Sequence, residues 1–276
     1  MAYAITPTHH LTGPLVTYDG SGNVSPGVVI KPTYVVIHYT VISYSATVKS
    51  FGPAGSRKAS AHLVVSRSGQ VTQMVDFNRR AWHAGESFWN GLSDLNTHSV
   101  GIELENYGYL QLQGDDKYLS DNNQIVGPSQ VVQARHKNPK STARYWERYP
   151  PAQLDACEDI CDALVTHYGI QEILGHDDVS PGRKSDPGPA FPMERIRSVF
   201  GRADAPAGQG QRLVVTVDSL NVRSGPGPGF PLAGEAFSKG TIVKLLEESA
   251  GGWSKVASEA VATRVGWVYA AYLAAF

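Results

Sequence analysis

Fifteen residues, Gly175 to Pro189, hold three glycines and three prolines. Proline removes a backbone donor and clashes with the preceding helical turn, so this stretch forms neither a long helix nor a central strand. Its polar side chains, His176, Lys184 and Asp186 among them, therefore belong to a shaped loop, where binding and catalytic groups concentrate. An imidazole, an ammonium and a carboxylate are raw material for metal-dependent hydrolysis. A catalytic zinc usually takes about three protein ligands and keeps a position for water, so one loop does not complete such a site.

Two strand-like runs supply further groups. Residues 34–40 read Tyr-Val-Val-Ile-His-Tyr-Thr, a β-branched run with one imidazole, His38, near its end. Residues 99–106 alternate, with Val100, Ile102 and Leu104 on one face and Glu103 and Glu105 on the other. Parity leaves both carboxylates open as a base. Residues 60–66 and 71–75 read as a hairpin and place His62 on a strand near the centre of the domain. From Pro151 to near Gly169 the pattern is helical. Leu154, Cys157, Cys161, Leu164 and Tyr168 share one apolar stripe there, so both cysteines are expected to be buried free thiols.

Four words occur in order: Val-Val-Ile-His at 35–38, Ala-Trp-His-Ala-Gly at 81–85, Val-Gly-Ile-Glu-Leu-Glu at 100–105, and Gly-His through Arg-Lys-Ser-Asp-Pro-Gly-Pro at 175–189. Over residues 30 to 195 the chain thereby resembles the zinc-dependent N-acetylmuramoyl-L-alanine amidases of the amidase-2 class, similar in fold to the peptidoglycan-recognition proteins. The resemblance implies an α/β domain with a mixed central β-sheet flanked by helices. It makes His38, His176 and Asp186 the zinc ligands, Glu103 the catalytic carboxylate and Lys184 the basic residue near the metal. His62 and His83 fall in the floor and wall of the implied cleft, as substrate contacts or as groups bonded behind the ligands. Trp82 offers an apolar face for a sugar or stem peptide, or else a core side chain.

The implied reaction cuts the amide between the lactyl group of N-acetylmuramic acid and L-alanine of the stem peptide. Two neutral imidazoles and one carboxylate leave zinc net positive, which polarises an amide carbonyl and lowers a water's pKa from about 15.7 towards about 7. Glu103 would move that water's proton to the leaving amine. Lys184 would face the developing oxyanion as a fixed cation. Each residue has a plainer reading: a satisfied strand histidine, an Asp186 that caps a turn, a solvated Lys184.

Residues 106–150 read as an insertion that leaves the Glu103 strand directly, and its aromatics, Tyr107, Tyr109, Tyr118 and Trp146, suit a substrate-facing wall. Residues 201–210 carry no apolar period and read as a linker, so a catalytic domain is expected at 1–200 and a second domain at 211–276. In the latter, Leu-Asn-Val-Arg-Ser-Gly-Pro at 220–226, Trp253, and Gly-Trp-Val at 266–268 resemble the bacterial SH3-like domain, a small all-β barrel. That resemblance implies recognition of wall peptides.

With 24 basic and 25 acidic residues the net charge is -1, so nothing pulls the chain towards nucleic acid or anionic lipid. Peptidoglycan is the expected partner. There is no basic and apolar leader and no run of about 18 apolar residues, so neither a Sec signal nor a membrane span is expected. A protein made in the cytoplasm that acts on the wall after lysis or dedicated export fits this pattern. It would be an endolysin or an exported antibacterial effector, the latter with export machinery and an immunity protein as partners. Two rival readings are a cytoplasmic amidase that recycles wall fragments and a non-catalytic peptidoglycan-binding or inhibitory protein.

Overall fold

The Val- and Ile-rich runs build a six-stranded mixed sheet from β1 (Val16–Tyr18), β2 (Tyr34–Tyr39), β3 (Leu63–Val65), β4 (Val71–Gln73), β5 (Ser99–Leu104) and β6 (Glu172–Gly175). Their order is β6-β2-β5-β3-β4-β1 in this computed structural model, which describes residues 3–25, 27–53, 58–114, 116–138, 141–200, 212–249, 251–258, 261 and 264–275. Strands β6, β2, β5 and β3 run parallel, β3 and β4 form the antiparallel hairpin, and β1 joins β4 in parallel. Parallel central strands are covered on both faces. Val35, Val36, Ile37, Val100, Ile102 and Leu104 are accordingly all at 0% exposure.

The chain divides into two units, Met1–Val199 and Phe200–Phe276, and the expected linker at 201–210 lies outside the described residues. In the first unit, helix α1 (Tyr44–Phe51) follows β2, with the Ser43 side chain accepting from the Ala46 amide. Helix α2 (Pro151–Tyr168) begins with proline at its first position, where no donor is lost, and stops at Gly169 in the left-handed region at φ 66°. Leu154, Cys157, Cys161 and Leu164 of its apolar stripe are buried and Tyr168 is half-buried, both cysteines are free thiols, and Gln153 Nε2 donates to the carbonyls of Val65 and Glu105 at 3.0 Å, tying α2 to the sheet. On the opposite side, Tyr34, Val36 and Leu174 pack with Ala84, Leu95 and Val179. A loop and two short helical turns thus cover the face on which His38 also projects.

The insertion is a sheet of its own. Strands Ile125–Val126, Tyr118–Ser120, Tyr109–Leu112, Ala143–Glu147 and Val131–Arg135 lie side by side in that order, all antiparallel. In the second unit five antiparallel strands, among them Ile242–Ser249, Trp253–Ser258 and Val265–Tyr269, enclose a core of Val215, Leu220, Val222, Phe237, Val243, Leu245, Val256 and Val268. The motif glycine there has a steric reason: a Cβ on Gly266 would lie 2.4 Å from Val222 Cγ1, so only glycine admits the approach that pairs Arg223 with Trp267. Strands Phe237–Ser238 and Leu273–Ala275, of two and three residues, were too short to be evident in the sequence pattern. Among the described residues no helix is long and apolar enough to cross a membrane.

Candidate metal centre and active site

Parallel pairing brings His38 of β2 opposite Glu103 of β5 and Ile37 opposite Gly175 of β6, after which the chain enters the short helix His176–Val179. All three candidate residues therefore lie at the carboxyl ends of adjacent parallel strands, the edge where open α/β sheets bind ligands. The Gly/Pro loop then folds back, with the Asp177 amide donating to the Asp186 carbonyl at 2.8 Å. This turn delivers the Asp186 side chain to the two imidazoles.

His38 Nδ1, His176 Nδ1 and Asp186 Oδ2 form a buried triangle with edges of 2.9, 3.0 and 2.9 Å. Donors and acceptors around the rings fix their tautomers. His176 Nε2 is 3.0 Å from the Ala84 carbonyl, which only accepts, so Nε2 carries the proton and Nδ1 presents a lone pair. The Ser99 hydroxyl donates to the Leu95 carbonyl at 2.6 Å and so meets His83 Nε2, 3.4 Å away, as an acceptor. His83 Nδ1 is then unprotonated and accepts from His38 Nε2 at 3.0 Å, which leaves His38 Nδ1 with a lone pair as well. Burial, followed by the nearby His176, pushes the His38 imidazole down to about 4, in keeping with a neutral ring.

Two nitrogen lone pairs and a carboxylate oxygen facing one point repel one another unless a cation lies between them. An ion about 2.0–2.1 Å from each atom, the distance zinc adopts with such ligands, fits over a triangle of this size and keeps one side towards the cleft. The donor set matches zinc.

The triangle opens into a cleft of about 340 Å³ whose lining includes Glu103, Lys184, Trp82 and His83. Glu103 is half-buried there, whereas the Glu105 carboxylate accepts from the amides of Tyr44 at 2.9 Å and Arg67 at 3.0 Å and holds backbone in place. The structure thus separates two carboxylates that alternation left equivalent. The Lys184 ammonium has no hydrogen bond or ion pair among the described residues. Trp82 is 40% exposed, with the Arg80 guanidinium 3.9 Å over its ring and that arginine paired to Asp94 at 2.7 Å.

The two remaining histidines sit deeper than a substrate contact requires. His62 is fully buried, its Nδ1 accepting from the Gly101 amide and its Nε2 donating to the Arg79 carbonyl, both at 2.9 Å. It does not line the cleft. His83 lines the wall but is 8% exposed and turned towards His38. Its backbone is fixed by Asn96, whose Oδ1 accepts from the amides of His83 at 2.9 Å and Ala84 at 2.8 Å. Sequence reasoning missed Asn96, Ser99 and Tyr39, whose hydroxyl lies 2.8 Å from Ser185 Oγ at the cleft rim. Ser99 had a signal, since alternation puts it on the face of Glu103; Asn96 had none.

Two lone-pair nitrogens and a carboxylate at a sheet edge, beside a second carboxylate and an ammonium, are the equipment of a metal-dependent hydrolase. Residues 29–189 match the amidase-2 family, N-acetylmuramoyl-L-alanine amidase, and residues 218–274 match the bacterial SH3 domain. The chain belongs to the N-acetylmuramoyl-L-alanine amidase family. It is 28% identical over 171 residues to the N-acetylmuramoyl-L-alanine amidase AmiD of Escherichia coli (strain K12), covering 59% of this chain and 51% of that one. It is 31% identical over 154 residues to the 1,6-anhydro-N-acetylmuramyl-L-alanine amidase AmpD of the same strain, covering 55% and 64%. The chain thus spans about half to two thirds of the length of the curated relatives it matches. A solved structure of a selenomethionine AmpD derivative aligns with a TM-score of 0.47 at 25% identity, over 67% of this chain and 94% of that one.

Proposed function

We propose that this protein is a zinc-dependent peptidoglycan amidase that cleaves the bond between the lactyl group of N-acetylmuramic acid and L-alanine. The observation that carries this reading is the triangle of His38 Nδ1, His176 Nδ1 and Asp186 Oδ2, with both imidazole lone pairs aimed at one point in a cleft shared with Glu103 and Lys184. Zinc held by these three atoms would polarise the scissile carbonyl and acidify the attacking water. Glu103 takes the proton from that water and hands it to the leaving nitrogen, acting first as base and then as acid. The Lys184 ammonium, which lines the same cleft, offsets negative charge as it grows on the carbonyl oxygen. His83 holds His38 in the tautomer whose Nδ1 lone pair faces the other two ligand atoms.

The names of AmiD and AmpD both specify a muramoyl-L-alanine amide, and that of AmpD adds a 1,6-anhydro sugar, the end group of a released wall fragment. The SH3 match favours intact wall as the substrate, because an enzyme for soluble fragments gains little from a second binding unit. An endolysin or an exported effector is therefore preferred, with a fragment-recycling amidase as the second reading. Incubating the zinc-loaded protein with purified peptidoglycan should release stem peptides with a new L-alanine amino terminus, identified by mass spectrometry and lost in His38→Ala. Products still joined to sugar would sink the amidase reading. Cleavage confined to soluble anhydromuramyl peptides would select the recycling enzyme.

A further inference from the structure

The cleft does not end at the metal centre. A second chamber of about 420 Å³ adjoins it, and Tyr39, Arg183, Lys184 and Ser185 line both. The hydrogen bond between the Tyr39 and Ser185 hydroxyls, 2.8 Å, marks the boundary. Beyond it the wall comes from the inserted sheet, through Tyr109, Arg144 and Trp146, with Asp121 from the turn after Ser120.

That wall is tied to the metal-bearing loop rather than draped over it. Trp146 is 3% exposed, its Nε1 donates to the Ala134 carbonyl at 3.1 Å, and its ring lies so near Gly188 that a Cβ there would come within 2.9 Å. The Asn138 amide donates to His136 Nδ1 at 3.0 Å, which leaves the Nε2 proton to bond the carboxylate of Asp177, the residue after ligand His176, at 2.8 Å. The chamber is therefore preformed, as ligand sites usually are.

Its uncommitted groups are of both signs. The Arg144 guanidinium stacks 4.7 Å over the Tyr109 ring, and neither it nor the Asp121 carboxylate has a hydrogen bond or ion pair among the described residues. Both side chains are exposed. A ligand carrying only carboxylates would meet Asp121, and one carrying only ammonium would meet Arg144. A neutral ligand with many hydroxyl and acetamido groups uses the arginine as donor and the aspartate as acceptor, while the tyrosine and serine hydroxyls at the boundary serve as either.

We propose that this chamber is a glycan subsite that holds the sugar neighbouring the muramic acid whose lactyl amide lies at the metal centre. The proposal rests on the amidase reading for its orientation, but not for its test. Isothermal titration of the full-length protein with a peptide-free GlcNAc–MurNAc oligosaccharide requires no turnover. Arg144→Ala and Asp121→Ala should each weaken that binding about tenfold, the loss expected for a hydrogen bond to a charged group. In cleavage assays kcat/KM should rise when the substrate is lengthened from one sugar to a tetrasaccharide, and both substitutions should shrink that gain by a similar factor. Absence of oligosaccharide binding, binding indifferent to both substitutions, or a loss confined to a free stem tripeptide overturns the subsite. Oligosaccharide binding that depends on Arg144 and Asp121 without cleavage of any muramoyl amide would retain the subsite and discard the amidase reading.

Discussion

His38 Nε2 donates to His83 Nδ1 across 3.0 Å, and this one contact decides which nitrogen of His38 is left to hold a metal. The chain of partners is complete: Leu95 carbonyl, Ser99 hydroxyl, His83, His38 and the cleft. A ligand imidazole fixed through its far nitrogen is already turned towards the ion, and removing such a partner typically costs 10- to 100-fold in metal affinity.

His83→Phe is therefore expected to weaken zinc binding by about 10- to 100-fold while leaving all three ligands in place. Chelator competition on the purified protein reads this without any substrate. His83→Gln, which keeps an acceptor for His38, should recover part of the loss. Equal zinc affinity in His83→Phe and the unsubstituted protein would remove His83 from the site.

The same relationship explains a glycine. Register puts Ser99, Gly101 and Glu103 on the face of His38, and a Cβ on Gly101 would lie 2.4 Å from His83 Cγ. The strand must give up a side chain there for the imidazole to lie across it. Gly101→Ala should displace His83, lower zinc affinity in the manner of His83→Phe, and destabilise the first unit by about 1–3 kcal/mol through overpacking. Thermal melts of the metal-free protein check the second effect. An unshifted melt with normal zinc affinity would show that the strand yields without cost.

Glu103 is not one of the three clustered ligand atoms, so its charge is separable from metal binding. Glu103→Gln should keep zinc and lose about 10²- to 10⁴-fold in kcat, the range of general acid–base catalysis. Near-normal turnover would move the proton-transfer role to another group.

The sheet and helix α2 were legible because their signals are local: β-branched runs for the parallel strands, an apolar stripe between Pro151 and Gly169 for the helix. The choice between Glu103 and Glu105 was not, because alternation places both on one face and only the amides of Tyr44 and Arg67, brought in by two other segments, commit Glu105 to backbone. The insertion showed its aromatics but not its architecture, since its strands of two to five residues pair across turns that no short-range pattern fixes. His62 and His83 illustrate the same limit. The motif at 81–85 marked His83 and a central strand marked His62, while their distance from the substrate depends on burial, which belongs to the folded chain.

His62 carries a prediction of a different kind. Its neutral ring satisfies both partners, accepting from Gly101 and donating to Arg79, and burial pushes its pKa down to about 4. In the unfolded chain the same imidazole titrates near 6.5. Between those values the unfolded state binds the extra proton, so stability rises with pH: the contribution of the neutral ring is complete above about 6.5 and is lost as pH falls to about 4, by on the order of 3 kcal/mol. His38 and His83 are also buried with lowered values, so the metal-free protein loses stability for several reasons at once. The informative quantity is the difference from His62→Gln, which retains an acceptor and a donor and does not titrate. Urea unfolding in the presence of a chelator at pH 7 and pH 4.5 should show a shallower fall for His62→Gln than for the unsubstituted chain. Parallel curves would mean that His62 accepts its proton in the folded protein, and that one of its two backbone bonds is made differently from the arrangement described.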